Sequence, residues 1–137
     1  MNEAGFTSGI NADVRKCGVP FVWKVNDRTT GGIPDARYRG PRAELWIEYK
    51  FLTLKAIPET VKNELSDKQK VQITIMRSCG DVVWVVYGIK LGGKSLALLV
   101  DASDLYADRF PVTKTFQKKD FVESITNWCG TYEHVIH

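Results

Sequence analysis

Asp35, Glu48 and Lys50 carry the most legible chemistry in this chain. They fall within residues 31–50, GGIPDARYRGPRAELWIEYK. Side chains alternate across a strand, so along the run LWIEYK at 45–50 Glu48 and Lys50 share a face. A preceding strand ending near Asp35 would lay its carboxylate beside Glu48. Two carboxylates with an ammonium beside them, on one edge of a sheet, form a donor set for Mg²⁺ and a pattern suited to phosphodiester hydrolysis. Structural uses compete at each position. Pro34-Asp35 is also a common turn dipeptide. Lys50 could make an ordinary cross-strand ion pair. Glu48 could sit on an exposed edge, although Trp46 shares its face and should cover it. Glu44 shares that face too, but has no lysine two residues on, and reads as structural.

The elements that must position these groups follow from periodicity. Phe6, Ile10 and Val14 recur at four-residue spacing, which predicts a helix over 2–17 stopped by Gly18. Residues 19–25 are β-branched and aromatic, a strand; 26–32 form a turn; 33–38 and 44–52 pair as a hairpin across 39–43. Residues 56–65, with Pro58, read as a loop with some helical character. Ser66-Asp67-Lys68-Gln69 is a capping box that opens a helix to about Cys79, ended by Gly80. Residues 82–88 are nearly all apolar, as in a strand buried on both faces. A further strand covers 95–100, and 102–117, with Pro111, read as irregular. Asp120-x-x-Glu123 opens a last helix through Trp128. The expected fold is α/β, a central mixed β-sheet flanked by helices.

Composition sets the outer limits. A chain of 137 residues makes one domain with a real core. No apolar run approaches ~18 residues, so no membrane span is expected. The N-terminus shows no basic segment followed by an apolar one, so no secretory leader is expected either. The three cysteines, Cys17, Cys79 and Cys129, are far apart and form no CxxC pair. They read as reduced thiols in a cytoplasmic protein without a zinc site. Net charge is only +3, but its distribution is uneven. Arg37, Arg39 and Arg42 lie between the two halves of the acidic motif, and 109–119 holds Arg109, Lys114, Lys118 and Lys119 with no acid. Basic groups near an acidic metal site suit a polyanion such as DNA; singly, each also fits a solvated surface. The tryptophans read as core or interface, not as a base-stacking platform. His134 and His137 have no evident partner.

The order of elements and several local motifs resemble the PD-(D/E)xK nuclease superfamily, most closely its virus-type replication-repair (VRR-NUC-like) branch. Gly32-Ile33-Pro34-Asp35 matches the GxPD element and Ile47-Glu48-Tyr49-Lys50 the ExK element. Gln69 stands just inside the second helix, Glu3 at the start of the first, and the apolar strand at 82–86 follows a glycine. The resemblance spans roughly residues 3–90, the expected nuclease core with its restriction-endonuclease-like αβββαβ order. Residues 95–137 would then be a C-terminal extension of a single nuclease domain over 1–137.

The resemblance implies a metal-dependent DNA endonuclease. Small free-standing members include Holliday-junction resolvases, phage nucleases and some homing endonucleases. Asp35 and Glu48 would hold Mg²⁺, or Mn²⁺ as substitute, with the Tyr49 carbonyl and Glu3 as further ligands. Lys50 would hold the attacking water or offset charge on the phosphate. Gln69 would orient the water or touch a phosphate, although the capping box alone explains it. Glu3 also fits as an acid favoured at a helix N-terminus. Arg37, Arg39, Arg42, Lys55, Lys114, Lys118 and Lys119 would contact the DNA backbone. The product would carry a 5′-phosphate. Cutting both strands with one site per chain calls for a homodimer. The host would be a bacterium or a phage-infected cell. The substrate is either a branched structure or, as in a homing enzyme, a sequence. The alternative is a non-catalytic nucleic-acid-binding protein on a decayed nuclease fold.

Overall fold

The computed structural model describes residues 3–25 and 31–132, with the side chains of residues 3 and 4 outside that description. His134 and His137 also lie outside it. The elements run α1 (Glu3–Lys16), β1 (Phe21–Lys24), β2 (Ala36–Arg39), β3 (Glu44–Thr53), β4 (Thr60–Lys62), α2 (Asp67–Ser78), β5 (Val83–Leu91), β6 (Lys94–Val100), β7 (Arg109–Gln117) and α3 (Lys118–Cys129). Seven strands form one sheet in the order β1-β2-β3-β5-β6-β7-β4. β3 and β5 are parallel and the other neighbours antiparallel. The fold is thus the mixed α/β sheet with flanking helices that the sequence predicts. A parallel pair needs a long crossover, and the segment holding β4 and α2 supplies it.

The helices divide the sheet into two faces. Phe6, Ile10 and Val14 of α1 and Phe121, Val122 and Ile125 of α3 pack on Tyr38, Leu45, Ile47 and Tyr49. On the other face, Ile73 and Met76 of α2 meet Val83, Val85, Tyr87 and Ile89 of β5. The period-two alternation of β3 therefore sends 45, 47 and 49 to the α1/α3 face and 44, 46, 48 and 50 to the α2 face. Among the described residues, no helix is long and apolar enough to cross a membrane.

Three local expectations need correction. Part of 102–117 is a strand: Phe110 and Phe116 are buried, and β7 pairs with both β6 and β4. Pro111 weakened that signal, since proline cannot donate to a ladder. It is accommodated near an irregularity in the β6–β7 register, between Leu99 and Val100. Within 56–65, Thr60–Lys62 is a short strand, too brief to show periodicity. The last helix begins at Lys118, directly after β7, rather than at Asp120. The segment after 95 is no appendage in packing terms. β6 pairs along β5, and Phe121 and Ile125 share a cluster with Ile47 and Tyr49.

Candidate active site

β2 and β3 bring the two carboxylates together by register. Ala36 pairs with Ile47, so the next step past the end of β2 sets Asp35 beside Glu48. There the Asp35 side chain takes over the ladder: its Oδ2 accepts a hydrogen bond from the Tyr49 N–H at 2.9 Å. The Asp35 backbone carbonyl accepts from the Val25 N–H at 2.8 Å, which holds the loop entering β2 against β1. In a strand, one residue's N–H and C=O lie on the same edge. The Tyr49 carbonyl is therefore presented on the Asp35 side as well.

The GxPD loop is fastened at its other end by α2. Gly32 has φ +89°, and a Cβ there would lie 2.5 Å from the Lys68 carbonyl oxygen and 2.9 Å from the Gln69 nitrogen. Only glycine allows this approach and this backbone conformation. The loop thus seats the start of α2 over the carboxylates.

Glu48 is 1% exposed. Its Oε2 accepts from Gln69 Nε2 at 3.1 Å and lies 3.7 Å from Lys50 Nζ. Its Oε1 is buried with no hydrogen-bond partner among the described residues. Burial, then the neighbouring Asp35 charge, push its pKa up to about 8. Burial also raises Asp35, against the lowering effect of the Tyr49 N–H, Glu48 and Lys50. As two carboxylates the pair has no donor between them; a proton held by Glu48 can be donated to Asp35. This cluster repels itself when fully ionised, and a cation would relieve it.

Gln69 closes the capping box and also contacts Glu48. Its Oε1 accepts from the Ser66 N–H at 2.9 Å, and the Gln69 N–H donates to Ser66 Oγ at 3.1 Å. The remaining amide hydrogens reach Glu48. The capping box fixes the rotamer that reaches Glu48.

The expected basic residues are scattered. Arg37 is bound on both sides of Glu44, at 2.8 and 2.9 Å, and its guanidinium holds the Glu44 carboxyl below its ordinary value. Arg42 donates through Nη1 to the Asn127 carbonyl and its N–H bonds the Cys129 carbonyl, so it ties the hairpin to α3. Arg39 and Lys55 are exposed. Lys114 lies over Phe116 and Lys118 approaches Asp13 at 3.9 Å. Together with Lys119, in the first turn of α3, they belong to the α1/α3 side, away from Glu48. Two further cations lie near the site. Lys24 acts on the Asp35 charge, and the Lys68 side chain runs past Gly31. The signal for Lys68 was its place beside Gln69 in the capping box; the sequence holds no comparable sign for Lys24.

Among the described residues no cluster of three His, Cys, Asp or Glu side chains forms, and the Glu3 side chain lies outside them. The donor set consists of Asp35, Glu48 and the Tyr49 carbonyl. It fits a hard divalent cation. All three are oxygen donors, and the orphaned Glu48 Oε1 is a buried acceptor that lacks a partner. A groove of about 610 Å³ lies elsewhere, between α1 and α3 near Asp13, Lys118 and Val122. It has no part in this cluster.

No protein-family model matches the chain, and no curated protein matches it in sequence. Among solved structures it is similar to Hjc, a Holliday junction resolvase from the archaeal hyperthermophile Archaeoglobus fulgidus. The match has 17% identity and a TM-score of 0.44, and covers 95% of this chain and 99% of that one.

Proposed function

We propose that the chain is a divalent-metal-dependent DNA endonuclease, with Mg²⁺ as the working ion and Mn²⁺ as substitute. The observation that carries this reading is the pairing of half-buried Asp35 with buried Glu48, which has one unpartnered carboxylate oxygen and Lys50 at its rim. The GxPD and ExK motifs at the same residues support it. Asp35, Glu48 and the Tyr49 carbonyl would hold the ion, and Glu3 remains a candidate fourth ligand. When bound, such an ion polarises a phosphodiester and makes a nearby water more acidic.

The chain's own groups divide the rest. Lys50 keeps a compact positive charge beside Glu48, where it offsets the negative charge that grows on the phosphate oxygens during attack. Gln69 holds Glu48 Oε2 in place from α2. The Tyr49 N–H holds Asp35 in the same way from β3. Fixing both carboxylates in advance means that little reorganisation remains for the reaction itself. Arg39, Lys55 and Lys68 are the cations we assign to the DNA backbone on this side; Arg37 and Arg42 are engaged within the fold. Two copies acting together would cut both strands or resolve a junction.

The test is incubation of the chain with Mg²⁺ and linear, nicked, branched and phage genomic DNAs. Cleavage that stops with chelator and returns with added Mg²⁺ is expected. Ca²⁺ should support binding with little cutting, because its looser coordination places the reacting groups poorly. Full activity in chelator would overturn the metal reading. Tight binding without cleavage of any DNA would favour a non-catalytic nucleic-acid-binding protein.

A further inference from the structure

Phe21 and Trp23 stand two residues apart on β1, the edge strand, with Val22 between them buried against α1. Alternation therefore turns both rings to the opposite face, the one that carries Glu48. They are 46% and 41% exposed, and their rings are stacked, with centroids 5.4 Å apart and planes 16° from parallel. Arg37, the register partner of Trp23, places its guanidinium 4.9 Å from the Trp23 ring and 5.3 Å from the Trp46 ring. Trp46, Arg37, Trp23 and Phe21 thus form a continuous ladder of flat groups that ends on an open aromatic ring. Two large aromatic rings left in water are costly as structure, and this pair buries no core.

The ladder leads away from the carboxylates. Asp35 and Arg37 are two residues apart, and β1 lies two strand spacings from β3, so Trp23 lies ~7 Å along and ~10 Å across the sheet from Glu48, roughly 12 Å away. One nucleotide of a stacked strand advances ~3.4 Å. Bases resting on Trp23 and Phe21 would then belong to nucleotides roughly three to five steps from the phosphate at Glu48. Charge on this face suits a strand of phosphates. Glu44 is neutralised by Arg37, leaving exposed Arg39 beside the rings and Lys50 at the site, with Asp81, among the described residues, as a further acid near Arg37. Duplex DNA has no free base faces to offer. An unpaired strand has one at every nucleotide, and stacking on protein aromatics tolerates any sequence.

We infer that Phe21 and Trp23 are a stacking platform for unpaired bases, and that the substrate presents a single-stranded arm next to the bond that is cut. This rests on the nuclease reading for the position of the cut, and replaces the expectation that the tryptophans serve only core and interface.

Binding in chelator tests it without reference to cleavage. Fluorescence anisotropy would compare a duplex bearing an unpaired arm with the same duplex bearing an abasic arm of equal charge. The base-bearing arm should bind about tenfold more tightly or better. The Phe21→Ala/Trp23→Ala variant should bind the two arms equally, and Phe21→Tyr/Trp23→Phe should keep the difference. Equal binding of both arms by the wild-type chain, which needs no variant, would overturn the platform. So would a double-alanine variant that keeps the difference, or one whose only change is a dimer becoming monomer by light scattering, since β1 would then be an interface between two copies. A chain that prefers the base-bearing arm but never cuts keeps the platform and loses the nuclease reading; one that cuts without the preference does the reverse.

Discussion

The two faces of the sheet both bury polar groups next to β3, and they treat them oppositely. On the α1/α3 face, Tyr38 donates to Asn11 Oδ1 at 2.6 Å and shares a 2.7 Å hydrogen bond with Tyr49. Burial holds both phenols well above their ordinary pKa, so they stay neutral. Tyr38, Asn11 and Tyr49 are uncharged and hydrogen-bonded there. On the α2 face, Glu48 is equally buried, charged once ionised, and left with an unpartnered oxygen. A closed polar network specifies a fold; an open one beside a second carboxylate destabilises the fold and has a use only when something binds. Tyr49 joins the two faces. Its ring lies between Phe6 and Phe121 while its backbone N–H holds Asp35.

Substitutions on the two faces should therefore separate activity from stability. The largest effect is expected from Glu48→Ala, Asp35→Ala and Lys50→Ala. Each should lower the cleavage rate by ~100-fold or more while the fold persists. Cleavage rate and thermal midpoint would be measured together, and wild-type cutting by Glu48→Ala would remove the site assignment.

The mirror experiment is Tyr38→Phe. It strips Asn11 and Tyr49 of a buried partner and should cost about 1–3 kcal/mol of stability, with the cleavage rate largely kept. Urea denaturation reads the first quantity. A Tyr38→Phe protein as stable as wild type would show that the network contributes little, and that the contrast between the faces is drawn too sharply.

Proton linkage should set the faces apart in a third way. The Glu48 pKa rises from 4.5 to about 8 on folding, and Asp35 rises too. Between those values the folded state holds more protons than the unfolded one, so stability falls with rising pH. The metal-free protein should be most stable near or below pH 4.5 as far as Glu48 is concerned, and lose that contribution as pH climbs through about 8. Glu48→Gln should flatten this slope, and adding Mg²⁺ at pH 8 should recover stability. Thermal midpoints across pH, in chelator and in Mg²⁺, check both. A wild-type slope of the opposite sign would mean that Glu48 is ionised without help.

The site was legible in sequence because its geometry is local. Strand alternation sets Glu48 and Lys50 on one face, and one hairpin register sets Asp35 beside them. What was not legible depends on long-range packing. Arg37 looked available for DNA, but Glu44, seven residues on, claims it across the hairpin. Lys114 and Lys118 looked like a basic track, but β7 carries Lys114 and α3 carries Lys118 to the α1/α3 side, a matter of sheet order that no local pattern encodes. Trp23 read as core or interface because aromatic residues in a short strand usually are; the position of β1 at the sheet edge leaves it and Phe21 exposed. Pro111 hid a strand by breaking one ladder bond that an irregular register could do without.

The smallest expected effect is also the sharpest test of where structure ends and the site begins. Gln69 closes the α2 capping box and reaches Glu48 with the same amide. Ser66 has only the capping role. Ser66→Ala and Gln69→Ala should each cost roughly 0.5–2 kcal/mol through the helix terminus. If Gln69 serves the cap alone, the two variants should match in cleavage as they do in stability. If it also fixes Glu48, Gln69→Ala should cut severalfold more slowly than Ser66→Ala at equal loss of stability, and should bind Mg²⁺ more weakly by calorimetry. Gln69→Glu sharpens the comparison. A glutamate can still accept from the Ser66 N–H, so the cap survives, but it faces Glu48 with negative charge in place of a donor. Its activity should fall while α2 stays capped. An active Gln69→Glu protein would return Gln69 to the helix and leave Glu48 held by Lys50 alone.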